Sequence, residues 1–264
     1  MRDAAGTVTV RLSERSASAR VAFVTVDRPR KLNALSSPIM ARFIEVFAKL
    51  ETDPGIRAVV LDGAGDKAFI GGADVDELAG LDATTARAFI TRVHLCCDAL
   101  RKFPAPVIAR IGGYALGAGL EVAASCDLRV AADTARMGMP EVKLGIPSVV
   151  EAAVLPRLIG AGRAREILLL GHTFSAADAE RWGLVERVVP ADEIDVVVEA
   201  WLEEILTAGP EALRIQKALI RQWEELPLSE AITAGVDAFE SAWETDEPRR
   251  MMDAFQAARR KPAR

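Results

Sequence analysis

The sequence predicts a layered α/β fold with a helical C-terminal part. Short β-like runs near residues 22, 58, 107 and 128 alternate with glycine or proline turns and with helical periodicities. Connections of that length suit a layered α/β architecture better than a meander. After Glu141 the character changes, and nearly every remaining segment reads as helix. Half of the 264 residues are hydrophobic, enough for a substantial core.

In chain order, residues 8–12 and 20–26 are β-like runs around the polar segment SERSAS, and predict a hairpin. The second run ends in DRPRKLNALSS, a loop carrying the cations Arg28, Arg30 and Lys31. Ser37 before Pro38 reads as a helix N-cap and first helical position. Ile39, Met40, Phe43, Ile44, Phe47 and Leu50 then recur at helical spacing. Residues 58–61 predict a buried strand, and Phe69 and Ile70 a short strand end before the Gly71, Gly72 turn. A helix is expected from Thr84 or Thr85, with Phe89, Ile90, Val93, Cys97 and Leu100 on one face. Residues 107–111 predict the next strand and 127–132 the one after. Helices are expected over 151–159, 164–170, 176–182, 191–206, 210–225, 229–243 and 247–259, with Ser175 and Asp192 as caps and a brief extended piece at 188–190. No composition shift marks a linker, and the division expected is a core over 1–190 with a helical region over 191–264.

Residues 112–141 carry the chemistry. A glycine-rich turn with Gly112, Gly113, Gly117 and Gly119 leads into a short apolar helix holding one acid, Glu121; Glu141 follows twenty positions later, after Pro140. Glycines before a helix let backbone N–H groups approach a ligand, and the helix N-terminus favours developing negative charge. Glu121 sits among Leu120, Val122, Ala123 and Ala124, and buried carboxylates are rare unless paired or used. The net charge of −5 argues against a nucleic-acid partner. No apolar run reaches the roughly 18 residues that span a bilayer, and the N-terminus has no secretory pattern, so no membrane partner and a cytoplasmic setting are expected. Cys96, Cys97 and Cys126 form no disulfide framework and read as reduced, helix-packed thiols.

DRPRKLNAL, AFIGGADVDEL, GYALGAGLEVAASCDLRVAA, MGMPEVKLGI and FSAADAERWGLVERVVP, in this order and spacing, resemble the enoyl-CoA hydratase/isomerase (crotonase) superfamily over roughly residues 8–260. The resemblance implies a crotonase-like spiral of ββα units with two nearly perpendicular sheets. It implies a helical C-terminal part that caps the site and joins subunits, as a homotrimer or dimer of trimers. It also implies an acyl-CoA thioester substrate, with coenzyme A part of the substrate, no further cofactor and no metal. By the match, the amides of Ala73 and Ala118 hold the thioester oxygen as an enolate forms. Glu141 delivers the C2 proton and Glu121 holds and polarises the water. Gly72, Asp74, Gly117 and Ser148 are the expected substrate-binding neighbours. Arg28, Arg30 and Lys31 lie in the loop that runs along the nucleotide, and Phe255 and Lys261 reach toward a neighbouring one. The implied activity is hydration of a 2-enoyl-CoA. Δ3,Δ2-enoyl-CoA isomerisation, another crotonase-type acyl-CoA reaction and non-catalytic acyl-CoA binding are the alternatives.

One stretch departs from the family. LGIPSVVEAAVLPRLIG replaces a glycine-rich segment beside the acyl pocket, placing bulkier residues at 148–151 and adding a third acid, Glu151. Glu151 reads as a first-turn helix acid facing solvent; turned inward, it would favour isomerisation. His94 and His172 match no catalytic position and read as structural or surface residues.

Overall fold

Two sheets divide the strands in the computed structural model, which describes residues 6–260. β1 (Thr7–Ser16) and β2 (Ala19–Asp27) form the expected hairpin. Pairing continues past a bulge to Ser16 opposite Ala19, so most of SERSAS is strand and only Ala17 and Ser18 turn. An antiparallel partner satisfies the backbone whether or not the side chains are apolar. β3 (Ile56–Gly63), β5 (Val107–Ile111), β7 (Leu128–Ala132) and β10 (Arg187–Val189) extend this sheet in parallel. The interior strands are covered on both faces, as parallel strands require, and residues 58–61 and 107–109 are fully buried.

The second sheet is made of three-residue strands: β4 (Ala68–Ile70), β6 (Tyr114–Leu116), β8 (Arg136–Gly138) and β9 (Thr173–Ser175). Three of these, β6, β8 and β9, are absent from the sequence reading. Three residues show no periodicity, and their pairing is decided by what the chain brings alongside.

α1 (Ser37–Glu51) buries Ile39, Met40, Phe43, Val46, Phe47 and Leu50 against α3 (Ala83–Lys102). Its N-cap is Ser36 rather than Ser37. The Ser37 N–H and hydroxyl instead donate to the carboxylate of Glu77, at 3.0 and 2.7 Å, from α2 (Val75–Ala79). α3 starts one residue before Thr84, because Asp82 caps it in a reciprocal box with Thr85. α4 (Ala118–Ala124) is buried along its whole length.

Beyond Glu141 the order is α5 (Leu155–Leu170), α6 (Ala176–Trp182), α7 (Ile194–Thr207), α8 (Pro210–Trp223), α9 (Leu228–Ala242) and α10 (Glu247–Arg260). The helix expected from 151 begins as a 3-10 turn over Val150–Val154, and Gly160 breaks α5 with φ +77°. Ser175 caps α6 through a box with Asp178, as expected. Asp192 caps nothing, since Glu193 occupies the α7 N-cap without a side-chain bond. α7 lies against β3, β5 and β7, so the helical region joins the core rather than standing apart. Lys217 of α8 is buried and donates to Leu100 O and Ala105 O at 3.0 Å and to Asp127 at 2.7 Å. That fully partnered ammonium fastens α8 to the core.

Candidate active site

The site is assembled where the two sheets and α4 meet. At the β2–α1 loop, Leu32 and Asn33 both take positive φ, 52° and 57°. Asn33 is buried and its side chain holds Arg28 N, Ala64 O and Ala68 O at 2.8–3.0 Å. This presents Leu32 O to the Gly71 N–H at 2.7 Å, and Leu35 pairs across Ala73 through Gly72 O and Asp74 N. In such a bridge Ala73's own N–H points the other way. It has no acceptor among the described residues. Ala118 is the first residue of α4, so its N–H also lacks an intrahelical partner. The sequence signal for Asn33 was its place in DRPRKLNAL; its bonding was not readable from type alone.

A cavity of about 130 Å³ is walled by Gly72, Ala73, Gly117, Ala118, Glu121 and Glu141, among others. Both expected amide donors and both expected acids therefore share one space. Gly117 takes φ 51° and ψ −123° at the α4 N-cap. A Cβ there would stand 2.2 Å from Glu141 Oε1, so only glycine lets that carboxylate lie against the turn.

Glu121 is 3% exposed, and its Oε1 accepts the Ala152 N–H at 3.1 Å. Burial pushes its carboxyl up, the charges of Glu141 and Glu151 push further, the Ala152 amide pulls back, and the result is about 8. Glu141 opens a 3-10 turn, and its Oε2 accepts the Ser148 hydroxyl at 2.7 Å.

Several expected site residues stand elsewhere. Ser148 is not in the cavity wall; it positions Glu141. Arg28 and Asp74 form a largely buried ion pair with one another. Burial raises the Asp74 carboxyl, but Arg28 and the α2 amides of Asp76 and Glu77 hold it below the usual carboxylate range. Asp74 thus caps α2 and anchors the turn beside Ala73, and Arg28 is committed to it rather than free for a phosphate. Arg30 is exposed, and Lys31 pairs with Asp76 at the surface at 2.6 Å. Phe255 is exposed on α10, and Lys261 lies outside the described residues.

Glu151 does not face solvent. It is buried, and Oε1 lies 2.7 Å from His94 Nδ1 on α3. It turns inward, toward α3, where its charge also acts on Glu121, and it is not among the residues that wall the cavity. His94 was read only as structural or surface, and no sequence pattern links positions 94 and 151. His172 is partly exposed, 4.0 Å from Glu166.

The sequence profile described as Enoyl-CoA hydratase/isomerase matches residues 16–263. The chain belongs to the enoyl-CoA hydratase/isomerase family. A probable enoyl-CoA hydratase of Mycobacterium tuberculosis is 40% identical over 237 residues, covering 89% of this chain and 91% of that one. The short-chain-enoyl-CoA hydratase of Clostridium acetobutylicum is 35% identical over the same shares. The crystal structure of an enoyl-CoA hydratase from Mycobacterium smegmatis superposes with a TM-score of 0.89 at 31% identity, covering 96% of this chain and 98% of that one. The expected crotonase fold is thereby established, and in this family member both glutamates and both amide-bearing turns line one cavity.

Proposed function

We infer that this chain is a 2-enoyl-CoA hydratase, adding water in the syn sense to give a 3-hydroxyacyl-CoA. The observation that carries the reading is the joint placement of Glu121, Glu141 and the unbonded amides of Ala73 and Ala118 around one 130 Å³ cavity. As the hydroxyl adds to C3, charge develops on the thioester oxygen, and each amide donor aimed at it contributes about 2.7–4 kcal/mol. Addition also needs one group to take a proton from water and another to give one to C2. The elevated Glu121 supports a pair that holds a single proton near neutrality. The water between the two carboxyls passes that proton to Glu141, which delivers it to C2. Glu121, left as the anion, orients the water and takes its proton as the hydroxyl adds to C3, which returns the single proton to the pair.

Gly72 and Gly117 flank the thioester. Arg30 and Lys31, exposed on the 3-10 turn Pro29–Lys31, are the cations offered to the coenzyme A phosphates, with Arg28 and Asp74 steadying the loop. The acyl-CoA brings the only cofactor chemistry in this mechanism. Among the described residues no helix is long and apolar enough to cross a membrane. A cytoplasmic setting is proposed, and the acidic balance supports the absence of nucleic-acid partners.

To test the reading, purified protein is incubated with 2-enoyl-CoA esters from four carbons upward, and loss of the conjugated thioester absorbance is followed. Hydration is expected. No loss at any chain length, with the protein folded, sinks it; conversion of a 3-enoyl-CoA alone would make the enzyme an isomerase.

The C-terminal helices supply the proposed trimer contact. Leu228, Ile232, Val236 and Phe239 recur at spacings of three and four on α9 and are each more than 60% exposed. Such an exposed stripe supports its use as the contact with another copy. Ile232→Asp together with Phe239→Asp is expected to shift the protein to monomer in light-scattering measurements; an unchanged mass would remove α9 from the interface.

A further inference from the structure

Glu151 is 7% exposed, and its Oε2 is buried without a hydrogen-bond partner among the described residues. A carboxyl held half-satisfied in this way costs free energy, so something must fix it there. Two neighbours show what. Val150 adopts φ +42°, a conformation that costs a β-branched residue about 1–3 kcal/mol. Ala152 gives its N–H to Glu121. The strained step at 150 turns Glu151 toward His94 and brings the next amide onto the catalytic carboxyl.

The tie spans two walls of one channel. The 130 Å³ cavity shares Phe89, Ile90, Ile146, Pro147 and Val149 with a larger open pocket of about 940 Å³. One wall of that pocket is α3, carrying Ile90 and, one turn on, His94. The other is the segment over 144–150. The His94–Glu151 contact joins α3 to the residue that follows this segment. The pocket stands near the upper end of the range that binds drug-sized ligands, and a four-carbon acyl group leaves most of it empty.

We propose that the His94–Glu151 contact is a positioning device that sets the spacing of the acyl-pocket walls, and that the pocket so defined selects long or bulky apolar acyl groups over short ones. The inference rests on the acyl-CoA reading above and goes beyond it in naming the acyl class and the residues that read it. Each methylene buried adds about 0.8 kcal/mol, about fourfold in kcat/KM. The ratio of kcat/KM for a ten-carbon over a four-carbon 2-enoyl-CoA is therefore expected to be well above 100. In His94→Ala the walls are untied, and the ratio is expected to fall at least about tenfold, with the loss in KM for the long substrate. His94→Asn, whose amide can take the Nδ1 position, is expected to restore it. If the alanine variant does not fold, His94→Leu fills the space without the hydrogen bond and serves in its place.

A flat wild-type profile overturns the acyl class. An unchanged ratio in His94→Ala, or no recovery in His94→Asn, overturns the positioning role. Should the wild type convert no 2-enoyl-CoA, the hydratase reading alone fails. Calorimetric affinities of saturated four- and ten-carbon acyl-CoA esters for wild type and His94→Ala then decide the wall spacing by the same ratio.

Discussion

Glu121→Gln is expected to lower hydration by roughly two to four orders of magnitude while making the fold more stable than wild type above pH 8. Activity falls because the variant cannot exchange a proton with water. Stability rises because the wild-type carboxyl, about 4.5 in an unfolded chain, is carried to about 8 by burial and by the charges of Glu141 and Glu151. The folded state therefore binds this proton more tightly than the unfolded state. Folding stability contributed by the group is intact below about pH 4.5 and is lost as pH rises toward 8. At about 1.4 kcal/mol per unit, the full loss is roughly 5 kcal/mol. Glutamine does not titrate and still offers an oxygen to the Ala152 N–H, so this slope should vanish from chemical-denaturation curves taken between pH 5 and 9.

Glu141→Gln is expected to cost similar activity by removing the C2 proton donor, with acyl-CoA binding largely kept. It also removes the charge that raises Glu121, so the upper end of the stability slope should move to lower pH. In the wild type, kcat/KM should fall above about pH 8 as the pair loses its shared proton. Unchanged turnover in either variant removes that residue from the mechanism, and an undiminished stability slope in Glu121→Gln would show that another group titrates.

Glu121 was legible in the sequence because a carboxylate inside an apolar helix, beside glycines, contradicts ordinary burial preferences, whereas Glu141, a turn acid after Pro140, was legible through the family resemblance. The long helices were legible through periodicity, and the parallel strands through unbroken aliphatic runs. What was hidden depends on partners distant in sequence. β6, β8 and β9 are strands only because β4 and one another lie alongside. Arg28 reads as a loop cation until Asp74, 46 positions on, claims it. Glu151 reads as a first-turn helix acid because helical spacing predicts a solvent-facing side chain. The positive φ of Val150 and the His94 ring 57 positions earlier reverse that orientation. Ser148 follows the same logic, since its hydroxyl serves Glu141 rather than the substrate.

Gly119→Ala is expected to disable catalysis from a position that touches no reacting atom. A Cβ at residue 119 would stand 1.9 Å from Ile70 O and 2.7 Å from Ile70 C, where real Cβ atoms stay beyond about 3.0 Å. The obstacle is strand backbone, which cannot rotate away, so α4 must retreat from β4 by about 1 Å. Those two elements position the two proposed oxyanion donors. Ala118 begins α4, and Ala73 follows three residues after the last residue of β4. Their separation is thus set by the Gly119–Ile70 contact, and widening it takes one donor out of reach of the thioester oxygen. Loss of a donor costs about 100- to 1,000-fold in kcat. The overpacking itself costs about 1–3 kcal/mol, a lowered Tm with the fold retained. Gly162→Ala is the matched control. Its Cβ meets nothing within 4 Å, and in the helical part of α5 alanine adds roughly 0.5–1 kcal/mol of stability. Retained kcat in a folded Gly119→Ala protein would mean that the donors are spaced by something other than this contact. A kcat loss with saturated acyl-CoA binding preserved would place the defect in the transition state, where the geometry puts it.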